Sequence, residues 1–274
     1  MNTTVKMPPI IYGTAWKKER TEELVIQAVK AGFKGIDTAC QPKHYHEKGV
    51  GEALEALKQE GFKRETLFIQ TKFTPLSGQD PLSIPYDEKA DLSTQVSQSF
   101  EVSKKNLKTD YIDSLVLHSP LFPFKDLQTV WKAMEEIAYR GKAKQLGISN
   151  IYDLQTLQRL YETAKVKPSV VQNRFYQDSG YDKEIRSFCK TNKIIYQSFW
   201  TLTANPHILQ SRELFDLSRK YDKNVVQVFF AYLQQIGITP LTGTTDIEHM
   251  LDDLQSFDIT FDDSEIFKLN VLFE

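Results

Sequence analysis

Residues 35–54 read "GIDTACQPKHYHEKGVGEAL", and the fold can be worked outward from this stretch. A short apolar run ends at Asp37. A polar loop follows, carrying Cys40, His44, Tyr45, His46 and Glu47, and an amphipathic helix then runs into Leu54. Apolar run, polar loop and helix form one unit of a parallel sheet, because parallel strands need a helical crossover between them. The unit recurs on both sides. Apolar runs appear as "PPIIYGTA" (8–15), "GFKGIDTA" (32–39), "TLFIQTKF" (66–73), "YIDSLVLHS" (111–119), "AKQLGISN" (143–150), "PSVVQNRF" (168–175), "KIIYQSFW" (193–200) and "GITPLTG" (237–243). Helical periodicity fills the gaps. "RTEELVIQAVKAG" puts Leu24, Ala28 and Ala31 on one side and stops at Gly32. "STQVSQSFEVSKKNL" opens with Ser93 as the expected N-cap and turns Val96, Phe100 and Leu107 inward. Two helices, "SRELFDLSRKYD" and "NVVQVFFAYLQQIG", precede the last strand, and "DIEHMLDDLQSF" is the last helix expected.

Eight strand–helix units in 274 residues predict an α/β fold, a single (β/α)8 TIM-barrel domain over residues 1–274. A doubly wound sheet is the competitor, but it usually carries a glycine-rich phosphate turn after its first strand. Here that strand runs into "GTAWKKER" (13–20). The longest loop, "SGQDPLSIPYDEKAD" (77–91), is expected over the barrel mouth. The formal net charge of −2, from 34 basic and 36 acidic residues, gives no reason to expect nucleic acid or an anionic membrane as partner. Two cysteines are too few for a disulfide framework and suit a reducing compartment. The segment "MNTTVKMPPIIYGTAW" lacks the apolar core of a signal peptide, and no run approaches the about 20 apolar residues of a membrane span. A soluble cytoplasmic protein, monomeric or weakly dimeric, is the expectation.

In a barrel the chemistry sits at the C-terminal ends of the strands. Those ends read Asp37, Lys72, His118, Ser149 with Asn150, Gln172 with Asn173, Phe199 with Trp200, and "LTGTT" (241–245), with Tyr45 in the loop after strand two. An acid, an ammonium and an imidazole at three consecutive strand ends form a directed pattern; a structural ion pair accounts for Asp37 and Lys72 alone but not for the set. A phenol of ordinary pKa about 10 is a weak acid near neutrality, and an adjacent ammonium would lower it. Asp37 would keep Lys72 charged, Tyr45 would donate a proton to an oxygen gaining negative charge, and His118 would aim that oxygen. Such an apparatus suits reduction of a carbonyl to an alcohol, with the hydride coming from a cofactor.

The motifs "IDTA", "YHEKGVGEAL", "QTKF" and "LHSP" resemble those of the aldo-keto reductases, and the resemblance covers essentially the whole chain. It implies NAD(P)H-dependent oxidoreductase activity on a small aldehyde or ketone, with Tyr45, Lys72, Asp37 and His118 as catalytic tetrad. "GKAKQLGISN" resembles the family's "GK-x-x-x-x-G-x-S-N", implying that Ser149, Asn150 and Gln172 hold the nicotinamide carboxamide and Phe199 stacks on its ring. "FWTL" stands where the family has "Y-S-P-L", so Trp200, Thr201 and Leu202 would lie along the pyrophosphate. Gly243 and His249 occupy the positions where many relatives carry a Lys and an Arg for the 2′-phosphate. Thr244, Thr245 and the N-terminus of the next helix, which also carries Asp253, would remain as contacts. NADP(H) is expected and NAD(H) is possible. Trp16, His118, Phe122 and Trp200 are the expected substrate contacts, with residues 75–86 and Phe124 nearby.

Two other readings stay open. One is a nicotinamide-binding sensor subunit with slow turnover. The other is a barrel isomerase or aldolase using Lys72 as Schiff base or acid–base residue. Cys40, His44 and His46 resemble a metal site on paper, but no further ligand pair stands at zinc spacing, so no metal is expected.

Overall fold

A computed structural model of the protein describes residues 5–273. The reading of the N-terminus thus falls partly outside the described residues. Eight parallel strands close into a barrel in sequence order: β1 (Ile11–Gly13), β2 (Gly35–Asp37), β3 (Phe68–Phe73), β4 (Ile112–Leu117), β5 (Ala143–Ser149), β6 (Val170–Arg174), β7 (Ile195–Phe199) and β8 (Ile238–Thr242). Each corresponds to one of the apolar runs. The surrounding helices are α1 (Thr21–Ala31), α2 (Glu47–Gln59), α3 (Leu92–Leu107), α4 (Phe124–Tyr139), α5 (Leu154–Thr163), α6 (Lys183–Thr191), α7 (Pro206–Leu209), α8 (Arg212–Tyr221), α9 (Val225–Gln235), α10 (Ile247–Leu254) and α11 (Asp263–Asn270). None of the described helices is long and apolar enough to cross a membrane.

Register decides which side chains meet at the mouth. Asp37 ends β2 opposite Gln70 of β3, and Lys72 lies two residues further along β3. Because side chains alternate along a strand, Gln70 and Lys72 share the face that Asp37 reaches. β3 runs one residue past Lys72, to Phe73, and β4 stops at Leu117, which leaves His118 as the first rim residue after it. His118 N–H still donates to Phe73 O at 2.9 Å, so the rim of β4 stays attached to β3.

The helices bury the expected faces. Leu24, Val25, Ala28 and Val29 of α1 are buried and Ala31 sits half-buried at the edge of that stripe. Gly32 ends α1 at φ +129°, a conformation that L side chains rarely adopt. α3 starts one residue earlier than Ser93: its N-cap is Asp91, whose carboxylate accepts from Thr94 N–H at 3.0 Å and from the Thr94 hydroxyl at 2.9 Å. A carboxylate that satisfies an open amide near the positive helix end takes the cap from a serine two residues on. α11 was not expected. It opens with a capping box between Asp262 and Glu265, and the following turn buries Phe273 against Phe175, Tyr181, Phe229 and Tyr232. Its eight residues carry a short, weakly apolar pattern that the capping box stabilises.

Gly51 shows how tightly the outer layer is drawn in. A Cβ there would lie 1.9 Å from Asn106 O on α3. Gly51→Ala must push α2 away from α3, and we expect a loss of about 3 kcal/mol. Urea unfolding of the variant reads this directly; a midpoint equal to that of the parent would mean that α2 and α3 do not approach this closely.

Candidate active site

The Asp37–Lys72 pair is 2.6 Å between Oδ2 and Nζ, with the two residues only 2% and 1% exposed. Lys72 donates a second hydrogen bond to Thr38 O at 2.9 Å. Asp37 Oδ1 accepts from Gln70 Nε2 at 2.8 Å and Gln172 Nε2 at 3.1 Å, and both amides also donate to Gln197 Oε1. The carboxylate is therefore saturated with donors, as a buried charge must be. Burial pushes the Lys72 ammonium below the usual lysine range, and the charge of Asp37 opposes that shift. Below the pair lies a second buried carboxylate, Glu47 at the start of α2. It accepts from Thr71, from Ser103 at 2.9 Å and from Asn106 at 3.1 Å, and burial pushes its carboxyl up.

Tyr45 and His118 complete the cluster. Lys72 Nζ is 5.0 Å from the centroid of the Tyr45 ring, and the Tyr45 and His118 rings meet edge to face at 5.9 Å. The expectation that Lys72 lowers the Tyr45 phenol fails. Burial first, and then the negative charge of Asp37, push it well above its ordinary value. Burial is the larger cause, and Asp37, paired with Lys72, offsets the ammonium that was expected to act on the phenol. His118 is held well below the usual imidazole range by burial, then by the Lys72 ammonium and by His44. Its Nδ1 lies 2.7 Å from Thr74 Oγ1.

The residues read as cofactor contacts fall in three places. Ser149, Asn150 and Gln172 come together at the ends of β5 and β6. Ser149 donates to Gln172 O at 2.6 Å, and Asn150 Nδ2 donates to His118 O at 2.8 Å, which joins this group to the tetrad cluster. Phe199 is half-buried at the end of β7 and Trp200 is exposed beside it, stacked on the Arg174 guanidinium at 4.0 Å. Thr201 is buried and spends its hydroxyl on Ser198 at 2.9 Å, while Leu202 packs against the core. Gly243, Thr245 and His249 are exposed after β8, and Thr244 is half-buried. The N-terminus of α10 is not open to an anion, because Asp246 caps it by accepting from Glu248 N–H at 2.8 Å and His249 N–H at 3.3 Å. Asp253 is buried and accepts from Thr242 at 2.7 Å, and burial raises its carboxyl to about 6.

Several groups escaped the sequence reading. Lys17, in the loop after β1, reaches across to donate to Gly243 O. Thr74, the first residue after β3 and two beyond Lys72, touches His118. Gln70 and Gln197 hold Asp37 and Gln172 in one amide network. The period of two along β3 and β7 would have found three of these. Lys17 carries no such signal, because its partner is 226 residues away.

On the substrate side, Trp16 stacks on His44 with ring centroids 4.0 Å apart, and Phe122 is exposed just before α4. Tyr86, in the long loop after β3, donates to Thr74 O at 2.8 Å, so that loop does close on the rim. Cys40 is buried with its Sγ 3.5 Å from Ser99 O, and burial pushes its thiol up to about 12, as for a packed small residue rather than a nucleophile. Two clefts on the outer surface border α3, one lined by Pro85, Tyr86 and Gln98 and one by Lys104, Lys105 and Lys108; neither contains a tetrad residue.

Fold and rim together define a (β/α)8 barrel enzyme with an acid, an ammonium, a phenol and an imidazole gathered at the C-terminal ends of its strands. A profile described as "Aldo/keto reductase family" matches residues 9–202, and the chain belongs to that family. It is 29% identical to the NAD(P)H-dependent 6'-deoxychalcone synthase of Glycine max, across 97% of this chain and 86% of that protein. It is 28% identical to the glyoxal reductase of Bacillus subtilis (strain 168), across 91% of this chain and 82% of the relative. Among solved structures it is similar to MGS-M4, an aldo-keto reductase enzyme from a Medee basin deep-sea metagenome library, at a TM-score of 0.83 and 25% identity over 99% of this chain and 93% of that one.

Proposed function

We propose that this enzyme reduces small aldehydes or ketones to alcohols with NADPH as hydride donor. The observation that carries the reading is the phenol of Tyr45 standing between the Asp37–Lys72 pair and the neutral His118 ring. The donor set suits a nicotinamide: amide and hydroxyl groups of Ser149, Asn150 and Gln172 gather at the ends of β5 and β6, and the half-buried Phe199 ends the neighbouring strand β7. When bound, the cofactor supplies the hydride. The side chains supply the proton. Tyr45 donates it to the carbonyl oxygen as negative charge develops there. Lys72 has three N–H groups, two of them committed to Asp37 and Thr38. The third has no partner among the described residues, and with Nζ 5.0 Å from the Tyr45 ring centroid the ammonium charge supports the phenolate that forms only as the proton leaves, so the stabilisation acts in the transition state. His118 hydrogen-bonds the same oxygen and fixes its direction. Lys72 as a Schiff-base nucleophile would need a free neutral amine, and its commitments to Asp37 and Thr38 O oppose that.

For NADPH over NADH the missing cation comes from a different loop. A Cβ on Gly243 would lie 3.5 Å from Lys17 Nζ, which also donates to Gly243 O, so the Lys17 ammonium lies beside position 243. Partial burial holds it below the usual lysine range, and a phosphate would compensate that cost. Trp16 and Trp200 are exposed at the rim and Trp131 is buried, so fluorescence quenching reports the mouth over a constant background. We expect NADPH to bind at least about tenfold more tightly than NADH, as one charge-assisted contact implies, and Lys17→Met to remove most of that difference. Equal affinities would mean that Lys17 makes no contact with the 2′-phosphate and that either cofactor can serve. Failure of both cofactors to support reduction of any small aldehyde would overturn the function.

A further inference from the structure

We propose that Thr74 is a positioning residue that sets the tautomer of His118: its hydroxyl donates to Nδ1, which leaves the ring proton on Nε2 for the substrate oxygen. The inference rests on the carbonyl-reductase reading for its purpose, and on geometry for its substance. Thr74 is 1% exposed, and its backbone is fixed because its carbonyl accepts from Tyr86 at 2.8 Å and from Gln79 Nε2 at 3.2 Å. Its Oγ1 lies 2.7 Å from Nδ1, and no other hydrogen bond of that hydroxyl is found among the described residues. The backbone of His118 is fixed as well, because its carbonyl accepts from Asn150 and its amide donates to Phe73 O.

A neutral imidazole has one N–H, and the hydrogen bond at one nitrogen fixes what the other presents. The groups facing this ring are Lys72 on β3 and His44 and Tyr45 in the loop after β2. Lys72 and His44 oppose a second proton on it, and the carboxylate of Asp37 is spent on Lys72, Gln70 and Gln172. Two arrangements remain. If Nδ1 kept the proton, Thr74 would accept, its own hydroxyl proton would have no acceptor among the described residues, and Nε2 would offer a lone pair to a carbonyl oxygen that also offers lone pairs. If Thr74 donates, its proton is satisfied and Nε2–H points an N–H at the oxygen where charge develops. The second arrangement leaves no proton unused.

The test is the ring's nitrogen spectrum, read beside kinetics. Protein labelled with 15N-histidine is measured by long-range 1H–15N correlation, with His118 assigned by the signal lost in His118→Asn. The expected wild-type pattern is an unprotonated Nδ1 and a protonated Nε2. Thr74→Val should mix the tautomers, lower kcat/KM about tenfold as for one lost hydrogen bond, and leave the NADPH dissociation constant unchanged. Thr74→Ser should restore both the spectrum and the rate. A protonated Nδ1 in the wild type overturns the proposal, and so does a Thr74→Val enzyme that keeps the Nε2–H tautomer while losing activity. A wild-type protein that reduces no carbonyl overturns the function instead, and the spectrum still decides the tautomer.

Discussion

Tyr45→Phe is expected to lower kcat for aldehyde reduction by about 10²- to 10⁴-fold, the range of one general acid, with the NADPH dissociation constant unchanged. The substitution keeps the ring that packs edge to face on His118 and under Lys72, and removes only the transferable proton. The phenol donates no structural hydrogen bond among the described residues, so stability should change by less than about 0.5 kcal/mol. Two pKa directions add a second signature. Tyr45 is pushed above its ordinary value and stays protonated across the neutral range. His118 is pushed well below its ordinary value and stays neutral there. Neither group changes charge near pH 6.5, the ordinary imidazole value, so the pH profile of kcat should show no inflection there. Single-turnover rates from pH 5 to 8, at about one-unit steps, would reveal it. An enzyme that keeps full activity as Tyr45→Phe has another proton donor, and the register of the loop after β2 would have to be reassigned.

The legible part of this protein is the part governed by short-range pattern. Alternation and helical periodicity place all eight strands, and the position of a polar residue at a strand end follows from the same pattern. Asp37, Lys72 and His118 were legible because each closes an apolar run. Tyr45 was legible only through the "E-x-x-V-G-x-A-L" segment after it, since the loop itself has no period. The rest depended on contacts that sequence distance hides. The cap of α3 went to Asp91 because a carboxylate competes better than a hydroxyl, a difference of two residues that periodicity does not resolve. The N-terminus of α10 reads as an anion site until Asp246 is seen folded back onto it. Lys17 meets Gly243 only because β1 and β8 are neighbours in the closed barrel. The sign of the Tyr45 shift came out reversed because sequence reasoning does not see how deeply the phenol is buried, and because it used Asp37 only to keep Lys72 charged and not as a negative charge acting on the phenol.

The pairing of Asp37 with Lys72 sets the second large effect. Lys72→Met should destabilise the protein by about 3–5 kcal/mol, the cost of leaving one member of a buried pair unpartnered, and should also abolish most of kcat. Met fills the volume of the lysine stem, so a cavity contributes little. The loss falls on Asp37, which keeps Gln70 and Gln172 as donors but loses the only cation within 4 Å among the described residues. If this is the cause, the double variant Asp37→Asn/Lys72→Met should recover at least half of the lost stability, because no buried charge remains uncompensated. Activity should not return, because the third N–H that supports the departing phenol proton is still missing. The two readouts separate what the pair does for the barrel from what it does for Tyr45. Urea unfolding of the two single variants and the double measures the first as a coupling energy. Stopped-flow reduction measures the second. A Lys72→Met protein within about 1 kcal/mol of the parent would mean that the pair contributes nothing net to the fold. Asp37 and Lys72 would then be held at the mouth for their chemistry alone, Asp37 by the amides of Gln70 and Gln172 and Lys72 by the carbonyl of Thr38, rather than by each other.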